Sequence, residues 1–393
     1  MKKVHRLLLI VSLLLCACSS DKNETDSTEK KSISENSIVA KSETKAATSQ
    51  KNSEPVSSST NEEPKAPIYQ GDYELPLAGA TGYASVSLAV KKEPEAAAEV
   101  LTPISPGTAY TILGEENGWL NIKLDDTVGW IQNQYSLVNL PDIIPSIIYK
   151  NTNVEASVFY SSGQTIPGIT HQSLYKSKGF NERLKKEQFI MPVLFPMAKK
   201  LMAMQKMALS ENNTLVLYEA FRPLSVQLQV AEAVKNLASE NPQVLQGITQ
   251  PPWSINWFIS TQVSNHQVGY AIDVSLAKVT VFSEEKYGKH RVRTVSRYEE
   301  YAMHTNIHEL SVRSAIFTAP VTVLSPTAWQ QGVLTPEVNQ FELLLQKYAT
   351  SSGLTPLASE WWHFNDLDAS NLLAGNTGNG DYVLTETKSI WIE

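Results

Sequence analysis

The chain has 393 residues, a 42% hydrophobic share and a net charge of -7, which suits two or three globular domains. No basic field is present, so a nucleic-acid partner is excluded, as is a cationic helix lying on a membrane. The two cysteines, Cys16 and Cys18, both fall in the first twenty residues, so the body of the protein has neither disulfide nor thiolate ligand. Any metal site there must be built from His, Asp and Glu.

The chain opens MKKVHRLLLIVSLLLCACSS: a basic start, an apolar run, then small residues. This is an export signal, too short to span a membrane with confidence. Leu15-Cys16-Ala17-Cys18 resembles the lipobox of bacterial lipoproteins, in which the cysteine is lipidated and becomes the new N-terminus. That resemblance implies a lipoprotein signal segment over residues 1–18, with Cys18 lipidated as the new N-terminus, and an exported protein held to the membrane facing the cell wall. Residues 19–66 are rich in Ser, Thr, Lys, Glu and Asn and cannot bury enough apolar surface to fold. They are expected to be a disordered tether.

Residues 67–145 alternate short β-like runs with turn residues, and Glu115-Glu116-Asn117-Gly118 is hairpin chemistry. The pattern NGWLNIKL…GWIQNQY resembles the bacterial SH3 domain, a small all-β barrel found beside cell-wall enzymes. The resemblance implies a module that docks wall peptide or glycan; a plain spacer is the other reading.

From residue 146 the chain is mixed α and β. Apolar residues recur at helical spacing after Pro196, with methionines that read as core. NNTLVLYEAFRP reads as a strand, Leu224–Leu237 as a helix and GYAIDVSL as a second strand. EEKYGKHRVR, within the motif-free stretch 277–335, reads as exposed loop or insertion. PEVNQFELLLQKYATSSG reads as a helix opened by Pro336 and Glu337 and followed by Gly353.

Two stretches stand out chemically. In SNHQVGYAIDVSL, Tyr270, Ile272, Val274 and Leu276 share one strand face, while Gly269, Ala271, Asp273 and Ser275 share the other. Gly269 lets the backbone turn, so His266 can fold back towards Asp273. In EWWHF, Glu360 and His363 share a face in a helical turn but point oppositely in a regular strand. A turn or bulge is therefore expected, with Trp361, Trp362 and Phe364 walling the site. His266, Asp273 and His363 are a ligand set suited to one zinc ion with an open position for water, leaving Glu360 as acid/base. Arg222-Pro223 ends the preceding strand, with the proline holding Arg222 extended.

These residues resemble the zinc D-alanyl-D-alanine peptidases, which include the VanX-type dipeptidases and the VanY-type carboxypeptidases. SxHxxGxAxD is matched by Ser264, His266, Gly269, Ala271 and Asp273, and ExWH by Glu360, Trp362 and His363. The resemblance covers roughly residues 140–370. It implies an α+β zinc peptidase domain, an antiparallel sheet with flanking helices, over 146–393. It further implies one Zn2+ per chain on His266, Asp273 and His363, Glu360 as general base, Arg222 stabilising the tetrahedral intermediate, and Ser264 contacting substrate. The partners implied are D-Ala-D-Ala or peptidoglycan stem peptides. The EWWH form and Arg-Pro favour the dipeptidase branch; export favours a carboxypeptidase, since free D-Ala-D-Ala is made in the cytoplasm. A wall cross-link endopeptidase and a non-catalytic wall-binding lipoprotein are the rival readings. His304 and His308 are four apart, but Thr305 stands where H-E-x-x-H needs its glutamate, so they read as bystanders, and His171 and His290 as loop residues.

Overall fold

A computed structural model describes residues 66–392. The signal segment, Cys18 and the expected tether lie outside the described residues. Among the described residues no helix is long and apolar enough to cross a membrane.

The first part is all β. Thr81–Ala84, Leu88–Lys91, Val100–Ile104, Ala109–Glu116, Trp119–Leu124, Thr127–Gln132 and Ser136–Asn139 pair antiparallel. The hairpin between Glu116 and Trp119 turns on Asn117 and Gly118, both at positive φ (49° and 85°), as a tight two-residue turn requires. This sheet does not end with the all-β region. Pro192–Leu194 pairs with Ser136–Asn139 and completes an eight-stranded sheet.

The second sheet has six strands and carries the site. Its central strand, Ala271–Tyr287, lies between Asn213–Glu219 and Glu360–Asn365, both antiparallel to it. Thr355–Leu357 and Ile148–Tyr149 complete the two sides, the latter parallel to its neighbour, so the sheet is mixed rather than wholly antiparallel. Ile272, Val274 and Leu276 are fully buried, as the alternation requires.

The helix Phe195–Ser210 buries Phe195, Met197, Ala198, Leu201, Met204 and Ala208, a helical stripe in which the methionines are core. One apolar cluster runs from Ile112, Leu120 and Ile122 through Val138 and Val193 to Leu201, Leu217 and Ile272. The two sheets therefore share a core. The C-terminal segment packs on the all-β region and on the helix Leu224–Glu240: the Tyr83 hydroxyl donates to Glu386 O, Ile390 N to Gly79 O, and Leu224 N to Gly380 O.

Three local expectations are corrected. EEKYGKHRVR is a hairpin arm rather than loop: Ala271–Tyr287 runs on to pair with His290–Glu300 across a turn at Gly288. His290 accordingly opens a strand. Val279, Val292 and Thr294 are buried while intervening Glu, Lys and Arg face water, the pattern of a half-solvated antiparallel ribbon. The last long helix is Gln340–Ser351, starting later than Pro336 and Glu337. Asn339 caps it, its side chain accepting from Phe341 N at 2.9 Å while Glu342 Oε2 accepts from Asn339 N at 2.8 Å.

Candidate metal centre and cleft

Asp273 sits mid-sheet, paired on one side with Glu219 and on the other with His363. Both neighbours are irregular. The register slips between Leu217 and Glu219, and again where Thr355–Leu357 meets Glu360–Asn365. The second slip is the bulge that Glu360 and His363 needed to face one cleft; His363 Nδ1 lies 3.5 Å from Glu360 Oε2.

His266 reaches Asp273 from the four-residue helix Asn265–Val268, which Gly269 ends at φ 93°. Ser264 caps that helix in a capping box with Gln267. His266 Nε2 is 3.3 Å from Asp273 Oδ1 and 3.2 Å from His363 Nδ1, and His363 Nδ1 is 3.0 Å from Asp273 Oδ1. Donors of a tetrahedral zinc site with bonds near 2.0–2.1 Å stand roughly 3.3 Å apart, so the trio fits such an ion. The far side of each ring is also committed. His266 Nδ1 lies 2.8 Å from Ala220 O, and His363 Nε2 lies 3.1 Å from Asn365 Oδ1. Each ring can therefore donate outward and keep the inward nitrogen unprotonated for a cation.

All three donors are buried. Burial alone raises the Asp273 carboxyl, but the charge of His266 and hydrogen bonds from His266, His308 and His363 hold it well below the usual carboxylate range. Burial lowers His363, only partly opposed by Asp273, which favours the neutral imidazole a metal needs. Glu360 goes the other way: burial and the Asp273 charge push it well above its ordinary value, against the pull of Arg222.

Arg222 is buried three residues past the end of its strand. It ion-pairs through Nη1 with Glu219 and donates through Nε to Gln227 Oε1 at 3.0 Å. Asn153 Nδ2 bonds the other Glu219 oxygen at 2.6 Å. The guanidinium is thus fixed at the wall of the cleft. That cleft is about 330 Å³ and is also lined by His266, Asp273, Glu360, His363 and Ser264. Every site residue expected from the sequence within the described residues lines this one space.

The aromatic wall differs from expectation. Trp362 lines the cleft, but Trp361 turns to the opposite side, donating to Thr305 Oγ1, and Phe364 is core. The irregular register of this strand separates them. Phe159, Trp257 and Phe258 supply the apolar wall instead.

His308 is a further correction. It is no bystander: it lines the cleft, and its Nε2 lies 3.1 Å from Asp273 Oδ2. It arrives on irregular backbone at φ 61° and stacks on Phe159 with ring centroids 4.6 Å apart. Nothing in HTNIH signals this, because the partner is 35 residues away and no regular element carries the contact. His304, by contrast, is structural, its Nδ1 lying 2.7 Å from Glu342 Oε1. Glu219, Asp273 and His308 also have donor atoms within 4.8 Å of one another. Glu219 is already engaged by Asn153 and Arg222, so the first trio is the better cation site.

A close donor trio, a buried carboxylate of raised basicity and a fixed guanidinium in one cleft define a candidate metallohydrolase centre. Residues 159–377, over half of the chain, match the M15 peptidase family, described as D-ala-D-ala dipeptidase, and the chain belongs to that family. Residues 86–136 match the bacterial SH3 domain. Among curated proteins none matches the chain.

Proposed function

We propose that the protein is an exported, lipid-anchored zinc peptidase that removes D-alanine from D-Ala-D-Ala-terminated peptides of the cell wall. The observation that carries this reading is the His266, Asp273 and His363 trio, spaced for one ion, with Glu360 and Arg222 facing the same cleft. Bound there, zinc would polarise the scissile carbonyl and acidify the attacking water. Glu360 takes the water proton and returns it to the leaving amine nitrogen, a task its raised basicity suits. Arg222, already immobilised by Glu219 and Gln227, donates to the oxyanion as negative charge develops. Ser264 holds the His266 helix through its capping box and presents its hydroxyl to the cleft; substrate contact is proposed as its second role.

The SH3-like region is proposed to dock on peptidoglycan. Because it shares a sheet and a core with the peptidase region, it would hold the cleft in a fixed attitude to the wall. Lipidation at Cys18 would set the distance from the membrane.

Mass spectrometry of muropeptides incubated with the purified protein, with and without chelator, tests this reading. Chelator-sensitive loss of one D-alanine is expected. Intact muropeptides in the presence of bound zinc would favour a wall-binding role, and cleavage of cross-linked dimers would move the activity to an endopeptidase.

A further inference from the structure

Residues 378–392 lie beyond the stretch matched to the M15 family and form neither helix nor strand, yet they are held at both ends. Their outer part rests on the all-β region. Thr111 Oγ1 donates to Lys388 O at 2.7 Å, Lys388 N to Thr81 Oγ1 at 3.0 Å, and Ile390 N to Gly79 O at 2.9 Å. Their inner part meets the backbone that carries the site. None of these residues lines the cleft, but they touch the neighbours of two that do, Arg222 and His266.

Gly380 makes the first of these contacts. Leu224 opens the helix Leu224–Glu240, whose N-cap is Pro223 and offers no side-chain acceptor. The first N–H groups of a helix need acceptors from outside it. For Leu224 N that acceptor is Gly380 O, at 3.0 Å. The same helix presents Gln227, whose Oε1 accepts from Arg222 Nε. Gly380 itself sits at φ 65°, and a Cβ there would lie 2.7 Å from Gln267 Cβ and 2.9 Å from Gln267 O. Gln267 follows His266 and bridges the two segments: its Nε2 donates to Arg222 O at 2.8 Å, and its Oε1 accepts from Ser264 N at 2.7 Å. One glycine thus abuts both the chain after Arg222 and the helix of His266.

Tyr382 makes the second contact, on the other side of Arg222. Its ring stacks on Phe221 with centroids 4.8 Å apart and planes 11° apart. It also lies against Gly107 of the all-β region, where a Cβ would come within 2.8 Å of Tyr382 Cδ2. Leu384, Leu137, Phe221 and Val268 belong to the same small apolar cluster. The Tyr382 hydroxyl is buried and finds no hydrogen-bond partner among the described residues, so this residue acts through the packing of its ring.

We infer that Gly380 and Tyr382 are positioning residues: through them the C-terminal strap fixes Arg222 and the His266 helix relative to each other. The inference rests on the zinc peptidase reading above and adds to it two residues that never meet the substrate. Arg222 is needed as charge develops on the oxyanion, so its displacement lowers kcat rather than raising KM. A misplacement of about 1 Å in such a group can cost roughly 100-fold in rate.

The test uses the full-length chain in detergent with saturating zinc. It compares wild type with Tyr382→Ala, Tyr382→Phe and Gly380→Ala. Ser389→Ala is the control, since it loses only the 3.0 Å bond from Ser389 Oγ to Asn181 Oδ1 at the far end of the strap. Two measurements are made: kcat and KM on a muropeptide, and backbone hydrogen exchange over residues 219–227 and 264–270. Tyr382→Ala and Gly380→Ala are expected to lower kcat about 10- to 100-fold and to speed exchange in both stretches, with KM little changed. Tyr382→Phe and Ser389→Ala should match wild type in both measurements. Gly380→Ala decides the matter if Tyr382→Ala does not fold. Wild-type kcat and exchange in the folded alanine variants at 380 and 382, or a Tyr382→Phe as slow as Tyr382→Ala, would overturn the inference and leave the peptidase reading intact. An inactive wild type would overturn the peptidase reading; unchanged exchange would then overturn the strap's role as well.

Discussion

His308 Nε2 lies 3.1 Å from Asp273 Oδ2, the carboxylate oxygen not shared with His266 and His363. One oxygen of Asp273 thus faces the donor trio while the other is tied to a histidine from a different part of the chain. Outer contacts of this kind orient a ligand and typically change metal affinity 10–100-fold when removed. His308→Ala is expected to weaken zinc binding by about that factor in a chelator competition titration. At saturating zinc, muropeptide cleavage should largely return. Unchanged affinity in a folded variant would mean that the contact does not support the ligand.

Glu360 has a different role, so its loss should separate chemistry from binding. Glu360→Gln removes the base with little change in shape. Zinc content should stay at the wild-type level while kcat falls by about 10²–10⁴-fold, the usual worth of a positioned general base. Near-full activity would rule out Glu360 as the base.

Gly269 couples the site to the all-β region. Its φ of 93° is left-handed, and a Cβ there would lie 2.4 Å from Leu137 Cδ2 on the strand Ser136–Asn139. Backbone strain of this kind costs about 1–3 kcal/mol, so Gly269→Ala should lower Tm by roughly 2–10 °C. Zinc affinity should fall with it, because the same turn aims His266. Calorimetry with and without zinc reads both effects, and an unchanged Tm would show the turn to be slack.

Glu74, ahead of the first sheet, accepts from Ser146 N at 2.9 Å and also bonds the Ser146 hydroxyl. Burial raises its carboxyl from the ordinary 4.5 to about 7, despite those hydrogen bonds, which lower it. Because the folded value is the higher one, the folded chain binds the extra proton between about pH 4.5 and 7. Stability from this residue is therefore full below that window, declines through it and levels off above. The total is about 1–3 kcal/mol. Glu74→Gln should remove this slope and raise Tm at pH 8 relative to wild type. Parallel Tm–pH curves for the two proteins would contradict the assignment.

Much of the site was legible because its signals are local. Gly269 and the alternation after it place Asp273 on a strand face, and the three-residue offset of Glu360 and His363 demands the bulge found at Leu357. What escaped depends on contacts distant in sequence. His308 bonds a strand 35 residues earlier from an irregular segment, and Phe159 and Trp257 join the cleft wall from a loop and from the short 3-10 helix Ile255–Trp257. Pro192–Leu194 is too short to announce a strand, yet it completes the first sheet from the second half of the chain. The long hairpin was masked by its charges, which occupy the solvent face of an ordinary antiparallel ribbon. Pro336 and Glu337 drew the helix start too early because Asn339 and Glu342 supply the actual cap.

The central claim is that His266, Asp273 and His363 hold one zinc ion. It is tested most directly by elemental analysis of the purified full-length protein beside His363→Ala, with circular dichroism confirming that both are folded. The account predicts one zinc per chain in the wild type and little or none in the variant. A folded wild-type protein that binds no zinc, or a variant that keeps its full complement, would contradict it.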